Sequence, residues 1–219
     1  MKKTIWAISA ACKSVGLLIL FSSLMLLIRI IHTDSVGYVF LWWNLFLALL
    51  PVGAAYLFDS YVRKRGLYSL LSFFFLINWL LFFPNAPYLI TDLIHLADDV
   101  SGVPLWYDAL MLFSFAFTGV FSGFLSLVYV YRALKGAVRS SRLILFVPGI
   151  CMLSGYGIYL GRELRWNSWD MFTRPHMVAG DIYSNISDPA AWSMTVLFSV
   201  FLFLLWYIMS FFFNSENAR

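Results

Sequence analysis

One stretch, Trp106–Tyr131, decides the fold: it reads WYDALMLFSFAFTGVFSGFLSLVYVY and contains a single charged residue, Asp108. A helix that crosses the hydrocarbon core of a bilayer needs about 20 consecutive apolar residues, and this stretch is longer than that. Its apolar residues are continuous, whereas the strands of a membrane β-barrel alternate apolar and polar positions. The stretch therefore predicts a membrane-spanning α-helix.

Similar runs occur along the rest of the chain. The predicted spans are residues 14–31, 38–58, 67–83, 106–131, 143–160 and 190–213. The fifth contains Pro148 and three glycines, which spanning helices tolerate where neighbouring helices satisfy the freed backbone groups. Hydrophobic residues make up 62% of the chain and charged residues 12%, whereas a soluble domain carries about 25% charged residues. We expect an all-α membrane protein with one domain, residues 1–219, formed by a single bundle of six transmembrane helices.

The Lys and Arg residues are distributed unevenly between the two ends of the predicted spans. With the N-terminus in the cytoplasm, eleven of them lie on the cytoplasmic side, and only Arg162, Arg165 and Arg174 lie in the opposite loops. This asymmetry follows the positive-inside rule and places both termini in the cytoplasm. The net charge of +4 then reflects membrane topology, and no basic run is long enough to predict a nucleic-acid partner.

Four polar residues inside the spans lie in the outer half of the membrane: Arg29, Asn44, Asn78 and Asp108. Ionisable groups are rare in membrane helices and usually face the bundle interior, in pairs or at a site. We expect Arg29 to contact a carboxylate, with Asp92 and Asp108 as the candidates at matching depth. The alternatives are that Arg29 extends to the lipid head groups, that Asp108 only begins an interfacial helix, and that the two amides form interhelical hydrogen bonds.

The segment after the third span, residues 84–99, reads PNAPYLITDLIHLADD. Pro84 and Pro87 are expected to end the spanning helix, and Asn85 can cap the helix that follows. From Tyr88 onward the pattern predicts a short amphipathic helix at the membrane interface.

Three polar residues of this segment, Asp92, His95 and Asp99, have the spacing i, i+3 and i+7, which predicts that they share one face of the helix. A carboxylate and an imidazole placed in this way can bind a divalent metal or act as acid and base. The alternative is that Asp92 and His95 only bond each other or Arg29.

The segment that follows the fifth span, residues 161–170, reads GRELRWNSWD. If the helix continues, Glu163, Asn167 and Asp170 share one of its faces. An arginine can hold a phosphate or carboxylate through a bidentate fork, which predicts an anionic ligand. The alternatives are an interfacial aromatic belt for the tryptophans, and ion pairs that hold the loop for the arginines.

Small residues in the fourth span predict close helix packing. Gly119 and Gly123 form a G-x-x-x-G pattern, which lets two helix backbones approach each other. Packing within the chain and packing between two copies of it are both open.

The following sequence blocks resemble a known family: Trp43–Ala48, Phe83–Tyr88 with Thr91–Leu93 and His95–Leu96, Trp106–Asp108, and Gly157–Arg162 with Arg165–Asp170. They are similar, in residue type and order, to the blocks of a bacterial multi-pass membrane family catalogued as domain of unknown function 1361. The resemblance implies an integral protein of the bacterial cytoplasmic (inner) membrane. It implies no activity.

These observations define a candidate site. The candidate catalytic residues are Asp92, His95 and Asp108; the candidate ligand-binding residues are Arg29, Asn44, Asn85, Arg162, Arg165, Trp166, Asn167, Trp169 and Asp170; the candidate metal ligands are Asp92 and His95. The mixture of Asp, His and Arg predicts a site at the extracytoplasmic face that binds or processes a polar or lipid-linked substrate.

Two other functions stay open at this point. The first is a non-catalytic membrane partner or assembly factor in a larger complex, and the second is a small transporter. The sequence does not decide whether the protein is an enzyme, and it leaves the cofactor unknown, with a divalent metal as the one candidate. The expected partners are the lipid bilayer, a lipid-linked or anionic small molecule, and a second copy or another protein.

Overall fold

The computed structural model of the protein describes residues 2–98, 102–139 and 143–215. Within these residues the chain forms α-helices and one 3-10 helix, and no strand occurs among them. The prediction of an all-α protein is therefore confirmed. The chain is divided into two compact units, Met1–Leu134 and Lys135–Arg219. The expectation of one domain over the whole length stays a prediction.

The first unit is built from three long helices and a broken one. Its elements are α1 (Lys2–Thr33), α2 (Phe40–Arg65), α3 (Leu70–Phe82), α4 (Asn85–Tyr88), the 3-10 helix η1 (Leu89–Asp98) and α5 (Leu105–Lys135). Helix α2 ends at Gly66, which takes a φ of 86° in the region that favours glycine. Ser69 then begins α3, because its side chain accepts a hydrogen bond from the Ser72 backbone N–H.

The second unit contains α6 (Phe146–Arg162), α7 (Asp170–Thr173), α8 (Pro175–Ser184) and α9 (Pro189–Ser215). Helices α6 and α9 pack closely because Gly155 has no side chain: a Cβ there would overlap the Thr195 carbonyl oxygen. Ser199 of α9 also donates a hydrogen bond to the Cys151 carbonyl, at 3.0 Å.

Five helical stretches are long and apolar enough to cross a membrane. They are Ala10–Thr33, Phe40–Arg65, Leu70–Ala97, Leu105–Lys135 and Pro189–Ser210. The remaining predicted span, residues 143–160, corresponds to α6, which has 17 residues and is shorter than the roughly 20 that a straight crossing needs. The third stretch extends from α3 through η1, and the short interfacial helix expected after the third span stays a prediction.

The core of the first unit gathers apolar residues from most of its elements. It contains Met25, Leu26, Tyr38, Leu41, Leu45, Ala48, Ala86, Leu89, Met111, Leu112, Phe115 and Ala116. The short α4 lies directly against α5: a Cβ at Gly119 would overlap the Ala86 carbonyl oxygen, and one at Gly123 would lie 3.1 Å from the Ala86 Cβ. The G-x-x-x-G pattern therefore packs within the chain, and it fixes the position of α4 and of the η1 helix that follows.

Candidate functional site

Arg29, in the last turns of α1, and Asp108, in the first turn of α5, form a buried ion pair. The Arg29 Nε lies 2.7 Å from Asp108 Oδ1, and its Nη2 lies 3.1 Å from Oδ2. The side chains are only 2% and 0% exposed, so neither reaches the solvent. The guanidinium fork uses both carboxylate oxygens, which is the strong bidentate geometry. The predicted contact of Arg29 with a carboxylate is confirmed, and its partner is Asp108.

Tyr38, in the turn before α2, links this ion pair to η1. The guanidinium carbon of Arg29 lies 4.3 Å from the centre of the Tyr38 ring, a cation–π contact. The Tyr38 hydroxyl donates a hydrogen bond to the His95 carbonyl oxygen at 2.9 Å. The edge of the neighbouring Phe40 ring meets the His95 imidazole, with ring centres 5.0 Å apart. Sequence reasoning missed Tyr38, because at the start of an apolar run it resembles any interfacial aromatic residue.

Asp92 of η1 is also buried, with 2% of its surface exposed. Its Oδ2 accepts a hydrogen bond from Asn44 Nδ2 of α2 at 2.8 Å, an interhelical bond of the predicted kind. Residues i and i+3 eclipse each other in a 3-10 helix, so Asp92 and the half-buried His95 share one face of η1. Asp99, the third predicted member of that face, lies outside the described residues.

Asn85 occupies a different position from the one predicted. It is the first residue of α4, the preceding cap position belongs to Pro84, and no side chain caps the helix there. The Asn85 Nδ2 instead donates to the Phe82 carbonyl oxygen at 2.9 Å, which satisfies a carbonyl at the end of α3. The capping prediction was wrong because the chain turns directly from α3 into α4. Asn78 likewise bonds within its own helix, to the Phe74 carbonyl oxygen.

The carboxylates of this cluster are already engaged in part. Arg29 occupies both oxygens of Asp108, and Asn44 occupies one oxygen of Asp92. In the part of the chain that the structure describes, no three His, Cys, Asp or Glu side chains form a group that could hold a metal ion.

In the second unit, Asp170 is the centre of a local hydrogen-bond network. Its Oδ2 accepts from the Asn167 backbone N–H at 2.9 Å, and its Oδ1 accepts from Thr173 Oγ1 at 3.3 Å and from Arg174 Nη2 at 2.8 Å. The hydrogen bond from Arg174, followed by those from Asn167, holds the pKa of the Asp170 carboxyl below its usual value. Asn167 and Asp170, predicted as ligand-binding, thus bond each other. The Arg174–Asp170 pair is of the kind given as the alternative for these arginines, ion pairs that hold the loop, and it has the i, i+4 spacing.

Trp166 is fixed on both sides. Its Nε1 donates to Asp181 Oδ2 at 2.8 Å, and the Arg174 guanidinium lies 5.3 Å from the centre of its ring. Trp169 is half-buried at the start of α7. The structure therefore brings Trp166, Asn167 and Asp170 together around Arg174.

After α6 ends at Arg162, the chain leaves the helical conformation at Arg165. Arg165 adopts a φ of 58°, the left-handed conformation, and the Trp166 N–H reaches back to the Leu160 carbonyl oxygen at 3.0 Å. This backbone hydrogen bond joins residues six apart and closes the turn that follows α6. The helix does not continue, so the predicted common face of Glu163, Asn167 and Asp170 is not formed. Arg165 is exposed and makes no hydrogen bond or ion pair within the described parts of the chain, whereas Arg162 is half-buried.

A second buried carboxylate, Asp59, was missed. It is 1% exposed, and its Oδ2 pairs with Arg132 Nη2 at 2.5 Å and also with Arg63. Asp59 lies 15 residues after Asn44 in α2, roughly 22 Å along the helix, and so at the opposite end. The signals available were its i, i+4 spacing to Arg63 and its position one residue beyond the predicted span.

Comparisons with known proteins give one family. Neither a curated protein nor a solved structure matches the chain. The family described as Protein of unknown function (DUF1361) matches residues 43–205. That range includes Asn44, Asp92, His95 and Asp108 and begins after Arg29. Since the match covers most of the chain, this protein belongs to the DUF1361 family of proteins of unknown function.

Proposed function

We propose that the chain is a multi-pass protein of the bacterial cytoplasmic membrane that crosses the bilayer six times, with both termini in the cytoplasm. Five stretches have the length and hydropathy of spans, and α6, packed along α9, supplies the sixth. A span of 17 residues is accommodated when the bilayer thins locally around it. The distribution of Lys and Arg supports this orientation.

In this orientation the buried polar cluster lies at the extracytoplasmic end of the first unit. Arg29 is near the end of α1, Asn44 near the start of α2 and Asp108 near the start of α5. These positions fall at one end of the helices, since α1 runs opposite to α2 and α5. The Arg63–Arg65 run marks the other, cytoplasmic end of α2.

The cluster serves as a binding site for a polar or lipid-linked substrate, with Asp92 and His95 as its reactive edge. The observation that carries this proposal is η1, a 3-10 helix of ten residues that presents both side chains on one face. Such helices rarely exceed three or four residues, and a longer one often marks a functional segment. Ionisable side chains at membrane depth also mark functional sites by default.

Each residue then has a distinct role. His95 is half-buried and can exchange a proton with a substrate, while Asn44 orients Asp92. Asp108 holds Arg29 rather than contacting the substrate, because both of its oxygens are engaged. In the second unit, the exposed guanidinium of Arg165 is suited to an anionic group such as a phosphate.

One observation favours a non-catalytic membrane partner as the second candidate. The Arg29–Asp108 pair is dry and satisfied at both carboxylate oxygens, and Tyr38 covers the guanidinium. A pair of this kind can fix helix positions without taking part in chemistry. In that case the whole cluster holds α1, α2, η1 and α5 together for assembly with another protein.

The test separates chemistry from structure. In the host bacterium, the gene is replaced by His95→Gln or by the control Asn78→Ala, whose amide bonds only within its own helix. We expect His95→Gln to abolish complementation of the deletion strain while the melting temperature in detergent stays that of the parent. Full complementation by His95→Gln would refute the site. Lost complementation with a lowered melting temperature would support the non-catalytic partner.

A reporter fused after Arg219 tests the orientation in the same strains. A periplasmic location of the reporter would refute the proposed orientation.

A further inference from the structure

The segment that joins α6 to α9, residues 163–188, encloses some of its polar side chains, while others, such as Glu163 and His176, are exposed. Asp170 is 1% exposed, and Asp181 is half-buried and accepts a hydrogen bond from Trp166. The Tyr159 hydroxyl, on α6, donates to Asp188 Oδ2 at 3.0 Å and lies 3.3 Å from Asn185 Oδ1. The interior of this connecting segment is therefore a network of carboxylates, amides and aromatic hydrogen-bond donors.

The exposed surface of the connecting segment also carries large apolar side chains. Its exposed large apolar side chains are Met171, Phe172, Met177, Tyr183 and Ile186. Phe172 is 60% exposed and Tyr183 is 80% exposed, although neither belongs to a candidate span. A concentration of exposed apolar side chains in one segment indicates a surface that another apolar phase covers.

Two further features identify that phase as lipid. First, the apolar side continues into α9: the Trp192 Nε1 donates to the Ile186 carbonyl oxygen at 2.7 Å, and Leu197, one turn further, is 70% exposed on a candidate span. Tryptophan is the residue type enriched at membrane interfaces. Second, Arg165 and Arg174 expose their guanidinium groups beside this surface, where lipid phosphates would complement their charge.

We propose that the connecting segment lies in the head-group region of the bilayer. Phe172 and Met177 face the acyl chains, and Arg165 and Arg174 bind the phosphates of anionic lipids. The arrangement is that of an interfacial amphipathic element between two spans. The proposal rests on the membrane-spanning part of the proposed function and does not depend on the roles of Asp92 and His95.

Spin labels on single cysteines test the proposal in the full-length chain. The background carries Cys12→Ser and Cys151→Ala, and Phe172→Cys and Met177→Cys are the test positions. Leu197→Cys serves as the reference for lipid and Lys64→Cys, an exposed position in the last turn of α2, as the reference for water. The protein is reconstituted in vesicles of phosphatidylethanolamine and phosphatidylglycerol. Oxygen and a water-soluble nickel chelate then compete as relaxing agents.

We expect labels at 172 and 177 to be relaxed mainly by oxygen, as at 197, and the label at 64 mainly by nickel. Nickel-dominated relaxation at 172 and 177 would place the segment in water and overturn the proposal. Low accessibility to both agents would mean that protein covers it, which also overturns the proposal. A nickel-dominated label at 197 would instead refute the spanning assignment of α9. Ile186→Cys replaces any test variant that fails to fold.

Discussion

Asp108 and Asp59 are both buried carboxylates paired with arginine, their clusters lie at opposite ends of α5, and the arginines differ in how exposed they are. Asp108 faces one arginine, which is 2% exposed and covered by Tyr38. Asp59 is shared by two arginines whose side chains are 27% and 59% exposed. Along α5, Asp108 and Arg132 are 24 residues apart, roughly 36 Å, so the full thickness of a bilayer core separates the two clusters.

The difference shows that burial of the carboxylate alone does not determine how much an ion pair contributes to the free energy of unfolding. When Asp108 is removed, Arg29 keeps its charge in a dry environment with a principal counter-ion lost. When either arginine is removed from Asp59, the other arginine remains, and water reaches the partly exposed side chains. The first cluster is therefore sensitive to a single change, whereas the second contains a spare partner.

The largest effect is expected at the first cluster. Asp108→Ala should lower the free energy of unfolding by about 3–5 kcal/mol, because a buried guanidinium loses its counter-ion. The double variant Arg29→Met/Asp108→Leu should recover much of that loss, since it removes both charges. Denaturant titration in detergent of the two variants and the parent measures both values. A loss below about 1 kcal/mol for Asp108→Ala would contradict a buried ion pair.

A smaller effect is expected at Asp59. Arg132→Ala should cost about 1–2 kcal/mol, the range of a partly buried charged hydrogen bond. Arg63→Ala should cost less than about 1 kcal/mol, because its side chain is largely solvated. The same titration measures both. If either single variant matched Asp108→Ala, the second arginine would not be acting as a spare partner.

The smallest effect is expected at Asp170, whose partner Arg174 is half in solvent. The folded-state pKa of Asp170 lies below its ordinary value, so its ionisation stabilises the fold above about pH 4 and this contribution disappears as the pH falls further. Arg174→Gln should therefore lower the melting temperature slightly at pH 6, and the difference from the parent should shrink on acidification. An equal difference at pH 6 and pH 3 would show that Arg174 acts through packing alone.

The two carboxylate clusters were not equally predictable. The span boundaries place Arg29 at a definite depth, which is enough to expect a carboxylate partner for it. They do not distinguish Asp92 from Asp108, because both lie at that depth and only the packing of α1 against α5 decides. Asp59 lies just before the Arg63–Arg65 run, where a charged residue is expected to be solvated. Its partner Arg132 is 73 residues away in the chain, and no local pattern reports that contact.

Two local conformations also could not be predicted from the sequence pattern. A helix that ends in the left-handed conformation usually has glycine at that position, and Arg165 occupies it here, so the segment reads as a continuing helix. The i, i+3 spacing of Asp92 and His95 is compatible with an α-helix and with a 3-10 helix. The shared face was therefore predictable, whereas the type of helix was not.

The geometry of the polar cluster depends on Gly119, although Gly119 lies against Ala86 and Leu89 rather than against a charged side chain. The Ala86 carbonyl oxygen lies where a Cβ of residue 119 would be. Helix η1 begins at Leu89, three residues after Ala86. One added methyl group would displace α4, and Asp92 and His95 would move with it relative to Asn44 and Tyr38. A larger side chain at this position of α5 would thus change the geometry of the cluster, while every acid, base and amide in it stays the same. The distances between the polar groups of the cluster therefore depend on how closely α4 packs against α5.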